Sequence, residues 1–158
     1  MKLTEFDQRT ICRKTNGKIL INKIGEDIIQ QITPFLQKEG EHIAIIDART
    51  LVDKNDLRNQ LNQVKDGYLI FNHATEVPQG EHRDIIVSMI CACLKGDLRN
   101  AGETITFAED WMNHLAQCSI GVLAIVEENE EKTSSCKSLS IRTSAAYLRI
   151  GNNGIIRQ

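Results

Sequence analysis

Aromatic residues are scarce in this chain: one tryptophan, two tyrosines and four phenylalanines make up 4% of 158 residues. Few stacking platforms are on offer to unpaired bases, which argues against a single-strand nucleic-acid binder. No charge of one sign dominates either, because 19 basic against 21 acidic residues leave a net charge of −2. That excludes a broad electropositive field for a nucleic-acid backbone. No apolar run approaches the ~18 residues that a membrane span needs. The opening Met1-Lys-Leu-Thr-Glu-Phe-Asp7 lacks the apolar centre of a signal peptide, so the expectation is a cytoplasmic chain. Cysteine is present without forming a framework. The five thiols (Cys12, Cys91, Cys93, Cys118 and Cys136) are an odd set, and the chain is long enough to build a core without staples. Reduced, packed thiols are the expectation.

What the sequence does contain is a series of short apolar runs, each followed by an amphipathic stretch. The runs are Lys18–Asn22, His42–Asp47, Tyr68–Asn72 and Ile120–Val126. They are continuous and rich in β-branched residues, whereas a strand wet on one face alternates. The pattern predicts a single three-layer α/β domain over residues 1–158, with a mainly parallel sheet flanked by helices. Helices are expected over Glu26–Lys38, where Pro34 should kink the chain, after a cap at Asp53, and over Arg83–Lys95. Thr106 and Glu109 are spaced as a capping box for a further helix with Trp111 and Leu115 inward. Residues 129–137 read as an exposed acidic and polar loop. Residues 138–158 read as an edge strand, from the alternation Leu139-Ser-Ile141, and an antiparallel hairpin turning at Gly151-Asn-Asn-Gly154. The Phe6–Thr15 stretch fits either a strand or a docking arm.

The segment Leu57-Arg-Asn-Gln-Leu-Asn-Gln-Val-Lys-Asp-Gly67 followed by Tyr-Leu-Ile-Phe-Asn72-His73 resembles the part of AAA+ ATPases where a helix and a glycine lead into the Walker B strand. The resemblance spans roughly residues 18–128, with Arg83–Lys95 at the place of the following helix and Gly121–Val126 at that of the sensor strand. It implies a nucleotide-binding architecture, but the residues that do the chemistry differ. Where the family has Gly-x-x-x-x-Gly-Lys-Ser/Thr, this chain has Asn22-Lys-Ile-Gly-Glu-Asp27, with one glycine and two carboxylates. Where the family ends its strand in Asp-Glu, Asn72 and His73 stand, so the carboxylates for Mg²⁺ and water activation are missing. The chain is also too short for the family's helical lid. The resemblance therefore implies an inactive relative: a non-catalytic interaction, assembly or regulatory domain that binds a protein partner or itself and carries no cofactor.

The alternative is a small metal-assisted hydrolase or nuclease. Parallel sheets place ligands beyond the C-terminal strand ends, which here carry Asp47, His73, Glu127 and Glu128. Two carboxylates could hold a divalent ion, with His73 as base or ligand because imidazole titrates near neutral pH. The plainer account is that polar residues cap neighbouring helices where strands end. Cys91-x-Cys93 with His82 lacks the second pair of a zinc site, and residues two apart on a helix diverge. A Cys118–His114 nucleophile fares no better. The basic residues Arg9, Arg13, Lys14, Lys18 and Lys23 fit a solvated face better than a nucleic-acid surface, and the Glu127–Glu131 run fits a soluble loop or a dock for a basic partner. Gly-x-Ser-x-Gly, His-Glu-x-x-His and Gly-x-Gly-x-x-Gly are all absent.

Overall fold

Three of the continuous apolar runs become the centre of a six-stranded sheet, and the fourth, Ile43–Asp47, its edge. A computed structural model describes residues 3–14, 17–23, 25–95, 120–143, 145–151 and 154–157. Strands β1 (Lys18–Asn22), β2 (Ile43–Asp47), β3 (Gly67–Asn72), β4 (Ile120–Glu127), β5 (Ala146–Gly151) and β6 (Gly154–Arg157) lie in the order β2-β3-β4-β1-β5-β6. The first five are mutually parallel, and β6 pairs antiparallel with β5. Every residue of β1 is buried, as is all of β3 and β4 except their last residues. That is why these runs do not alternate.

Helices cover both faces. Over one face lie α3 (Lys54–Asn62), α4 (Arg83–Lys95) and α5 (Ser134–Thr143), which bury Leu57, Leu61, Ile86, Met89 and Leu139 against Ile19, Phe71 and Ala124. Over the other lie α1 (Glu5–Ile11) and α2 (Ile28–Lys38), which bury Ile11, Ile28, Ile32 and Leu36 against Leu20, Ile70 and Ile125. Asp53 caps α3 as expected, accepting from Asn55 N at 2.7 Å. Pro34 sits inside α2 on its exposed side, so the missing N–H faces solvent and not the core. Gly67 opens β3 at φ +82°, and a Cβ there would lie 2.0 Å from the His42 carbonyl oxygen. That close approach lets Tyr68 N donate to His42 O at 2.8 Å and zips β3 onto β2.

Two segments differ from expectation. Phe6–Thr15 is neither strand nor arm: residues Glu5–Ile11 form α1, started by a capping box between Thr4 and Asp7. The stretch expected as a polar loop and edge strand holds a short 3₁₀ turn (Glu128–Glu130) and then α5. Thr133 Oγ1 accepts from Cys136 N at 3.2 Å, and Cys136 and Leu139 are 1% and 3% exposed against α4. Burial of that one face outweighs a serine-rich composition with poor helix propensity. The C-terminal hairpin stands where the sequence places it. The helix expected around Trp111 and Leu115, with His114 and Cys118, lies outside the described residues.

Candidate functional site

The C-terminal ends of the parallel strands line up along one edge. Asp47 lies opposite Asn72, and Asn22 opposite Glu127. The neighbours β1 and β4 send their following helices, α2 and α5, to opposite faces. A crevice opens at such a reversal, and ligands of open α/β sheets bind there.

Side chains of the protein fill that edge. Asp47 accepts from Arg49 N at 3.0 Å and is forked by the Arg49 guanidinium at 2.8–3.2 Å. The fork holds the Asp47 carboxyl below the usual carboxylate range, against the opposing effect of burial. Arg49 in turn is held charged by Asp47 first, with Glu76 and Glu127 adding to the same field. His73 occupies the left-handed region at φ +52°, uncommon for a side-chain-bearing residue. Its N–H bonds to Asn72 Oδ1 at 3.1 Å, and its ring Nδ1 lies 2.8 Å from Glu76 Oε2. Ala74 N donates to Ile125 O at 3.0 Å, which pins the turn to β4.

At the reversal itself, Asn22 is 6% exposed. Its Nδ2 donates to Glu26 O at 2.8 Å and faces both Glu127 carboxylate oxygens at 3.3 and 3.4 Å. Its Oδ1 is buried without a partner. Turning the amide over would point that oxygen at three other acceptors, so the orientation is fixed by charge. The β1–α2 connection is a tight turn in which Glu26 N donates to Lys23 O at 3.0 Å, and Gly25 takes φ +88°. Asp27 then caps α2, accepting from Gln30 N at 3.1 Å.

All four candidate site residues stand on this edge, but they do not converge. Asp47 is engaged by Arg49, His73 by Glu76 and Glu127 by Asn22, while Glu128 is exposed on the 3₁₀ turn. Among the described residues no group of three or more His, Cys, Asp or Glu could hold a metal ion. Cys91 and Cys93 are buried in the α4 core, and burial raises the Cys93 thiol far above its ordinary value. His82 instead accepts from Lys54 N at 3.2 Å at the start of α3. Of the basic residues, Arg9 pairs with Glu5 and Lys14 with Glu41, and Lys14 also lies over the Tyr68 ring; Lys18 is buried with its amine on Arg13 O. Arg49 and Glu76 carry much of the edge's charge and escape sequence reasoning. Their spacing to Asp47 and His73, two and three residues on, is the signal that points to them.

The fold and this edge define an α/β domain with a parallel core whose C-terminal strand ends carry paired polar and charged side chains. No protein-family model matches the chain, and no curated protein matches it. Among solved structures, the crystal structure of a DNA replication initiation factor matches with a TM-score of 0.55 at 10% identity, over 94% of this chain and 44% of that one. At that identity the likeness is one of fold, and it agrees with the expected α/β architecture. The chain spans less than half the length of that neighbour. Among the described residues no helix is long and apolar enough to cross a membrane.

Proposed function

We propose that this chain is a non-catalytic interaction, assembly or regulatory domain on an AAA+-like fold, with its nucleotide position closed by its own carboxylates. One observation carries the reading: Asp27 caps α2 through Gln30 N at 3.1 Å. In phosphate-binding folds the first helix offers those N–H groups and its positive dipole end to the anion. Here a carboxylate already takes an N–H of that turn, and Glu26 and Glu127 add negative charge around it. A triphosphate brought to this turn meets repulsion where it needs donors. The Walker B position adds nothing, because Asn72 and His73 are tied into the local turn.

The open edge of the sheet supports the interaction side of the reading. Among the described residues strand β2 has a neighbour on one side only, and Ile45 on it is 47% exposed, with Val52 just beyond at 66%. An apolar edge strand without lysine, proline or a bulge offers unpaired backbone groups to a partner or a second copy. Calorimetric titration with ATP and Mg²⁺ tests the nucleotide half of the proposal. No binding in the micromolar range is expected, whereas a micromolar dissociation constant would contradict it.

A further inference from the structure

Away from the C-terminal strand ends, α4 and α5 lie side by side, and a cavity of about 470 Å³ opens between their N-terminal halves. Arg83 and Asp84 of α4, Ser134, Ser135 and Ser138 of α5, and Thr75 from the β3–α4 connection line it, over an apolar floor that includes Val87 and Leu139. Its size falls within the ordinary range for small-molecule sites, roughly 300–1,000 Å³.

Three independent features give this cavity an anion-binding character. Arg83 donates from Nη2 to Ser135 Oγ at 3.1 Å and from Nε to Val77 O at 3.3 Å. Among the described residues no carboxylate forms an ion pair with it. Beside it, α5 presents its N-terminus. Thr133 Oγ1 satisfies Cys136 N at 3.2 Å, and the first backbone bond reaches Lys137 N at 3.1 Å. The Ser134 and Ser135 N–H groups are thus left without an acceptor among the described residues, at the positive end of a ten-residue helix. Thirdly, Thr75 is 9% exposed, and its buried Oγ1 has no hydrogen-bond partner. A buried hydroxyl left unsatisfied costs about 1–3 kcal/mol, and a turn of the Thr75 side chain toward the cavity would let a ligand relieve that.

We propose that the α4–α5 cavity binds a small hydroxylated phosphomonoester, with the phosphoryl group held by Arg83 and the α5 N-terminus. Asp84 sets the rest of the specificity. Its carboxylate repels a second anionic group but accepts hydrogen bonds from hydroxyls, so the body of the ligand is a polyol and not a second phosphate. The site is separate from the β1–α2 turn, where Asp27 stands in the anion's place.

Thermal melting of the full chain with glycerol 3-phosphate as probe, against chloride at matched ionic strength, tests the proposal. At a concentration about twentyfold above the dissociation constant, linkage raises Tm by about 5 °C. Arg83→Gln is expected to abolish that rise. No rise over the chloride control, or an equal rise in Arg83→Gln, overturns the proposal. Backbone amide shifts of the unsubstituted chain decide the matter even where the variant does not fold. Movement at residues 134–136 supports the cavity, and movement confined to residues 25–30 overturns it and counts against the closed nucleotide position as well.

Discussion

Asp27 does two things with one carboxylate: it starts α2 and it takes an N–H that an anion would need. Replacing an acidic N-cap by alanine typically costs about 1 kcal/mol, so Asp27→Ala should lower the urea midpoint by a corresponding amount with an unchanged m-value. Glu131 is a second residue whose charge matters. It accepts from the Arg149 guanidinium and, at 3.0 Å, from Tyr147 Oη, tying the turn before α5 to β5. The Arg149 hydrogen bond, above all, holds its carboxyl below the ordinary range. A depressed carboxyl stabilises the fold fully above the unfolded-chain value, roughly 4.3, and that stabilisation is lost as pH falls through the lower folded value. Glu131→Gln should therefore be less stable than the parent at pH 7, with the difference shrinking in acid. Urea midpoints at neutral pH and near the acid limb check this.

At the scale of elements, the legible parts were those where one physical signal dominated. Four strands declare themselves through unbroken apolar runs, three of them buried and β2 a half-exposed edge, with α3 marked by its cap and stripe and α4 by its stripe. Helix α1 was hidden by its length. Seven residues carry too little periodicity, although Thr4 and Asp7 hold the cap signal. Helix α5 was hidden by serine-rich composition and by Leu139-Ser-Ile141, which imitates a strand; only the packing of Cys136 and Leu139 on α4 decides it. Leu139→Ala should accordingly cost about 2–5 kcal/mol, the range for emptying a buried leucine site, measured by chemical denaturation. An exposed edge-strand leucine would cost far less. Gly67 links β2 to β3 through a contact that admits no Cβ, so Gly67→Ala should cost at least about 2 kcal/mol in the same assay.

For the whole molecule, strand order turns scattered polar residues into one edge. Asp47, His73 and Glu127 are far apart in sequence and share that edge because β2, β3 and β4 are neighbours in register. The sequence pattern indicated the edge but not the pairing across it, since that depends on which side chain turns toward which. Arg49 folds back on Asp47 and Glu76 on His73 through local turns, and Asn22 meets Glu127 across the β1–β4 register; apolar periodicity reports none of these contacts. The α4–α5 cavity was out of reach for a related reason: part of its wall belongs to a helix that composition disguised. What remains as the central claim is that the first turn of α2 is closed to nucleotide by the protein's own carboxylates. Hydrogen exchange resolved to the amides of residues 25–30, with and without millimolar ATP and Mg²⁺, tests it most directly. Unchanged exchange in that segment is the result this account predicts, and nucleotide-dependent protection of the Gln30 amide and its neighbours would contradict it.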